Sequence, residues 1–147
     1  MFKIAVKTFQ ELSNNELYDI IQLRSEVFVV EQNCVYQDLD GKDSKAVHVM
    51  GIKKGILVAY TRIFKPGDYF KEASIGRVVV KDSERKYGYG GAMMKASIRV
   101  IKEYYDETEI YLSAQAYLKV FYNSFDFEQI GEGYLEDGIP HIGMLKK

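Results

Sequence analysis

The chain has 147 residues, with 20 Lys and Arg against 21 Asp and Glu, for a formal net charge of −1. With 47% hydrophobic residues it can bury one sizeable core, and a single domain over residues 1–147 is expected. Near-balanced charge excludes a histone-like binder of nucleic acid, and 28% charged with 14% aromatic residues excludes a disordered chain.

Cys34 is the only cysteine, so no intramolecular disulfide is available and a reducing compartment is expected. The N-terminal MFKIAVKTFQEL has too short an apolar run for a signal peptide, and no stretch reaches eighteen apolar residues. Together these point to a cytoplasmic protein with no membrane partner.

In chain order, residues 2–9 read as a strand. Ser13 then precedes Glu16 at capping-box spacing, opening a helix to about residue 31. Leu17, Ile20, Ile21, Val27 and Phe28 form its apolar face, and Arg24 falls inside that stripe. A desolvated arginine needs a buried carboxylate or carbonyl, which is the partner expected for Arg24. Residues 32–44 are polar loop. Strands over 47–52 and 56–64, joined by Lys53-Lys54-Gly55, read as a hairpin. A turn at Pro66-Gly67-Asp68 leads to a strand over 73–80 ending in Val78-Val79-Val80. A helix follows from Gly88–Gly91 to about Tyr105, then a strand over 109–113 and a short helix over 117–125. Strands near 127–131 and 139–145 complete a β-α-β-β-β-α-β-α-β-β order, a mixed sheet with helices on its faces.

The most informative segment runs from Val78 through Arg85-Lys86-Tyr87-Gly88-Tyr89-Gly90-Gly91. A strand enters a loop, three glycines lie within four residues, and a helix begins. Glycines admit close approach of a ligand, and N–H groups at a helix start favour phosphate. No Lys-Ser/Thr follows the glycines, and Met93 occupies the third position of GxGxxG, so neither standard phosphate motif is present. Residues 81–103 carry six basic against three acidic side chains, a local +3 that favours an anion pocket, most simply for a pyrophosphate.

Arg85-Lys-Tyr-Gly88-Tyr-Gly90 resembles the Q/R-x-x-G-x-G/A signature of the GNAT acyl-CoA N-acyltransferases, placed after a strand and opening a helix as in that family. The stretch from Ala114 to Phe127, with Tyr122 in a short helix, looks like the family's second landmark. Asp126 replaces the usual glycine there, and Asp tolerates a left-handed helix cap. Leu23–Gln32, Tyr36–Gly41 and Glu136–His141 resemble the ElaA-type branch, so the resemblance covers nearly the whole chain.

The resemblance implies the GNAT fold, an α/β arrangement of the α+β type. A single mixed sheet is flanked by helices, and acyl-CoA binds at the splayed end of the central strands. It implies an acetyl-CoA-dependent N-acetyltransferase that passes an acetyl group to a primary amine by direct attack on the thioester, without a metal. The alternative is a non-catalytic acyl-CoA-binding or sensor module on the same fold. The backbone of Val78, Val79 and Val80 would pair with the pantetheine arm and supply an oxyanion donor. Arg85, Lys86, Tyr87, Gly88, Tyr89, Gly90 and Gly91 would hold the pyrophosphate, with Gln115 and Tyr122 also on the cofactor and Tyr122 as the acid for the leaving thiolate.

The base is less defined. Many family members carry a Glu early in the fourth strand, where this chain has Ser74, so that role is not carried over. Glu31 ranks first as base, ahead of His48, Glu72, His141 and a held water, while Glu31, Tyr36 and His141 are the candidate acceptor contacts. Residues 31–43 sum to −3 and residues 126–137 to −5, which favours a cationic amine if both border one cleft. The expected partners are therefore a small-molecule or peptide amine and, in a homodimer, a second copy of the chain.

Two other motifs fall short. Asp38-Leu-Asp40-Gly41-Lys-Asp43 has its glycine too early for a calcium loop, with Val49 where the closing Glu belongs. Cys34 has no motif that pairs it with a histidine.

Overall fold

A computed structural model describes all 147 residues. Strand β1 (Phe2–Thr8) leads through a single 3-10 turn into helix α1 (Asn14–Arg24), followed by a π-helical stretch over Ser25–Glu31. Then come β2 (Val47–Lys53), β3 (Ile56–Phe64), β4 (Ala73–Val80), a 3-10 segment over Asp82–Tyr87, and α2 (Tyr89–Tyr105). The chain ends with β5 (Ile110–Gln115), α3 (Lys119–Asn123), β6 (Glu128–Glu136) and β7 (Ile139–Lys146). The seven strands form one sheet in the order β1-β2-β3-β4-β5-β7-β6, in which only β4 and β5 run parallel.

The capping box starts α1 as its spacing predicts. Glu16 N donates to Ser13 Oγ at 3.0 Å, and Ser13 N donates to Glu16 Oε1 at 2.9 Å. The helix does not continue regularly to residue 31. After Arg24 the hydrogen bonds lengthen to five-residue steps, such as Gln32 N to Val27 O, where the run Val27-Phe28-Val29-Val30 crowds an ordinary turn. The wider turn carries Phe28, Glu31 and Gln32 toward the centre of the sheet.

Each face of the sheet buries one apolar cluster. Helix α2 brings Met93, Met94, Val100 and Ile101 against Val49, Ile63, Ile75 and Leu112. On the other face Ile20, Leu23 and Val27 pack on Met50, Tyr60 and Val79. Asp126 adopts φ +69°, so the left-handed position after α3 is filled as the sequence predicts.

Strand β4 positions the site. It pairs with β5 only at Ala73↔Ile110 and Ser74↔Tyr111, after which the two strands part. Against β3 its register slips by one residue between Tyr60↔Val79 and Arg62↔Gly76, which is a β-bulge. Arg77 lies in that bulge at φ +49°. The bulge resets the alternation of side chains along the strand. Ala73 and Ile75 face the α2 cluster before it, Val78 and Val80 face the same cluster after it, and Val79 faces α1.

Candidate active site at the parted central strands

A groove of about 530 Å³ follows the free edge of β4. Val78, Val79, Val80, Arg85, Gly88, Gly90, Gly91, Gln115 and Tyr122 line it, together with Phe28, Glu31, Gln32 and Leu118. At its outer end Gly88 takes φ +74°, a left-handed conformation that ends the 3-10 segment and starts α2. The first N–H groups of α2 have no partner within the helix and add its partial positive charge. An unpaired strand edge leading to a helix N-terminus fits an elongated amide arm carrying a pyrophosphate. These residues therefore suit acyl-CoA.

Lys86, Tyr87 and Tyr89 belong to the same loop, but their side chains do not line the groove. Lys53 Nζ lies 4.1 Å from the Tyr87 ring centroid and Lys86 Nζ 5.4 Å from it, while Tyr89 stacks on Phe2 at 4.0 Å. They buttress the loop from the β1–β2 side. Arg85 holds the loop to the strand by donating from Nε to Val80 O at 3.0 Å.

Glu31 lies on the groove wall, with its carboxylate in a two-pronged ion pair with Arg85, Nη2 donating to Oε1 at 2.8 Å. That pairing commits the lone pairs a base would use. The geometry makes Glu31 a partner of Arg85 and leaves it no carboxylate oxygen free to face an amine.

A second, narrower cavity of about 110 Å³ opens from the groove. Phe28, Gln32, Val78, Gln115, Leu118 and Tyr122 line both spaces, so a thioester laid along β4 would meet the second cavity at these residues. Its remaining wall includes Tyr36, Arg77, Ser113, Glu136, Asp137 and His141. Tyr122 is 5% exposed, and burial pushes its phenol up, so it is protonated throughout the neutral range.

His141 sits on β7 opposite Gln115 of β5. Its Nδ1 lies 2.7 Å from Ile139 O, and a carbonyl only accepts, so Nδ1 carries the proton. In neutral His141 the Nε2 lone pair is therefore free, 3.5 Å from Glu136 Oε2. His48 and Glu72 line neither cavity. His48 is fully buried between the Tyr60 hydroxyl at 2.6 Å and Asp43 O at 3.0 Å, and burial pushes its imidazole down.

The acidic loop differs from its sequence reading. Asp38, Asp40 and Asp43 do not border the cleft as free charge, because three arginines neutralise them. Arg24 donates to Asp38 Oδ2 at 2.9 Å and to Asp43 Oδ1 at 2.7 Å, giving the buried arginine the carboxylate it needs. Arg62 donates to both oxygens of Asp40 and to Asp43, and Arg77 Nε donates to Asp38 Oδ1 at 2.8 Å. The cavity's negative charge comes instead from Glu136 and Asp137. Sequence reasoning missed Arg62 and Arg77. The available signal was Gly76, since an isolated glycine inside a strand pattern marks a bulge.

Residues 8–147 match the family described as acetyltransferase (GNAT) domain. The chain is 45% identical to protein ElaA of Escherichia coli (strain K12), over 93% of this chain and 91% of that one. The structure is similar to that of an acyl-CoA N-acyltransferase from Pseudomonas aeruginosa, with a TM-score of 0.95 and 40% identity over the whole of both chains. It is similar to the E. coli ElaA structure at a TM-score of 0.93 and 42% identity, again over the whole of both chains.

Proposed function

The chain belongs to the GNAT acetyltransferase family, and from that premise we propose that it transfers an acetyl group from acetyl-CoA to a primary amine. The observation that carries this reading is the meeting of two cavities at Val78, Gln115 and Tyr122, one suited to acyl-CoA and one walled by Glu136, Asp137 and His141. Acetyl-CoA supplies the acyl group already activated as a thioester. The chain's residues align, polarise and move protons.

Val78 and its neighbours offer the unpaired edge of β4, whose backbone N–H groups polarise the thioester carbonyl. Glu136 and Asp137 attract a cationic acceptor. His141 takes its proton through Nε2, while Nδ1–H stays fixed on Ile139 O. As the amine nitrogen bonds to the carbonyl carbon and the carbon–sulfur bond breaks, Tyr122 gives its proton to the sulfur. The second proton that the nitrogen sheds on becoming an amide returns to the Tyr122 oxygen through solvent. Direct attack gains most from alignment in a site where Phe28 and Leu118 exclude water. We place the enzyme in a reducing compartment, a setting supported by the free thiol of Cys34.

Two measurements test the reading in sequence. Thermal stabilisation by acetyl-CoA and CoA, but not by ATP or NAD, is the expected first result. Release of CoA across a panel of amines, with the acetylated product identified by mass, is the second. Tight CoA binding with no turnover on any amine reverses the enzyme reading in favour of an acyl-CoA sensor.

A further inference from the structure

Arg77 is a long, charged residue at φ +49° in the middle of a strand, a conformation costly for any residue with a Cβ. Something must hold it there, and its side chain shows what does. Nε donates to Asp38 Oδ1 at 2.8 Å, and Nη2 donates to the Asp38 backbone carbonyl at 3.0 Å. Arg24 grips the same residue from the other side, donating to Asp38 Oδ2 and, at 3.3 Å, to the same carbonyl. The Tyr36 hydroxyl donates to Asp38 Oδ1 at 3.2 Å. Asp38 thus joins α1, the 32–44 loop and β4.

The bulge at Arg77 does two things to the strand that follows it. It turns Val78 and Val80 to the face that the register before it gives to Ala73 and Ile75. By the same rotation it sets the direction of the Val78 N–H, at the point where the two cavities meet. We propose that Arg77, clamped by Asp38, is a positioning residue that holds the β4 bulge open and aims the Val78 N–H at the thioester carbonyl. The same clamp ties that aim to the loop carrying Tyr36, which lines the acceptor cavity, so both substrates' walls are fixed to one carboxylate. This inference rests on the acyl-CoA reading of the groove.

The test reads the carbonyl directly and needs no knowledge of the acceptor. Acetyl-CoA labelled with ¹³C at the carbonyl is bound to the protein, its C=O stretch is measured, and Kd is compared with that of CoA. The wild type is expected to lower the stretch and to prefer acetyl-CoA. Arg77→Gly, which accepts the positive φ but has no side chain to clamp, loses the lowered stretch and loses about fivefold of that preference. Its Kd for CoA itself stays within about twofold, since the phosphate end is untouched. Arg77→Lys, which keeps one charged contact to Asp38, recovers part of the stretch. An Arg77→Gly variant with the wild-type stretch overturns the proposal, as does one whose CoA and acetyl-CoA affinities fall in parallel. If the wild type binds neither thioester nor CoA, the acyl-CoA reading fails and the positioning role goes with it.

Discussion

His141 and Glu136 face each other across the β6–β7 turn, with Nε2 3.5 Å from Oε2. The nitrogen nearest that carboxylate is the one that carries no proton in neutral His141, since Nδ1–H is spent on Ile139 O. The pair belongs to the wall of the narrower of the two cavities. Replacing His141 by Gln is expected to lower kcat by about 10²-fold, the lower range for loss of a positioned general base. The Kd for CoA should stay unchanged, because His141 does not line the groove along β4. Steady-state kinetics with a saturating amine and calorimetry with CoA check both halves. A His141→Gln enzyme with wild-type kcat removes the base assignment.

Tyr122 offers a sharper separation of binding from chemistry. Burial keeps its phenol protonated, so it can donate to a thiolate and does not compete with His141 as a base. Tyr122→Phe preserves the ring that packs edge-on against Phe121 and Phe127 and removes only the hydroxyl. Turnover should drop by at least about tenfold, while Tm and CoA affinity barely move. Equal turnover in the two proteins shows that the sulfur takes its proton from elsewhere.

Glu31 and Arg85 make a prediction in the opposite direction. Arg85 is already engaged by Glu31, so a pyrophosphate bound as we propose must share or displace that carboxylate. Glu31→Gln frees the guanidinium, and KM for acetyl-CoA is expected to fall, by no more than about fivefold for an exposed pair. Its kcat should remain within about twofold of wild type. A large loss of kcat in Glu31→Gln would restore Glu31 as the base.

The sequence made the fold and the backbone of the glycine loop legible because both rest on local patterns. The capping box at Ser13, the hairpin at Lys53-Lys54-Gly55 and the glycines at 88–91 are short-range patterns whose geometry follows from a few adjacent residues. The surroundings of Glu31 and of the acidic loop were harder, since they depend on contacts distant in sequence. Arg85 reaches Glu31 across 54 positions and Arg77 reaches Asp38 across 39, so their charges cancel in a way no window along the chain reveals. The change from α- to π-helix after Arg24 was hidden for a related reason. Apolar spacing does not distinguish four-residue from five-residue steps over seven residues.

Arg24 is nearly inaccessible, with 1% of its side chain exposed, and it serves two carboxylates at once. Arg24→Met fills a similar volume but leaves Asp38 and Asp43 short of charge in a buried setting. Breaking one partner of such a network costs about 3–5 kcal/mol, because the remaining charge is uncompensated. Urea unfolding at neutral pH measures that loss directly. A change below about 1 kcal/mol would mean that Arg62 and Arg77 take over both carboxylates.

The same network sets how the protein responds to acid. Burial pushes the Asp40 carboxyl up, but hydrogen bonds and charge from Arg62 outweigh it and bring the group from 3.8 down to about 2. Asp43 moves the same way, burial opposing and Arg24 and Arg62 prevailing. A carboxylate whose folded value lies below its unfolded value binds its proton more readily in the unfolded chain. The stability it contributes is therefore complete above about pH 4 and is lost as pH falls toward about 2. His48, pushed down by burial, adds a loss of the same sign at higher pH, beginning as pH falls through its ordinary 6.5. Urea unfolding measured from neutral pH to about pH 2 should show both segments. Asp40→Asn is expected to be less stable at neutral pH yet to lose less between about pH 4 and 2, because the group that titrates there is gone. If wild type and variant fall in parallel over that interval, Asp40 does not carry the acid sensitivity and the burden passes to Asp43 and the exposed carboxylates.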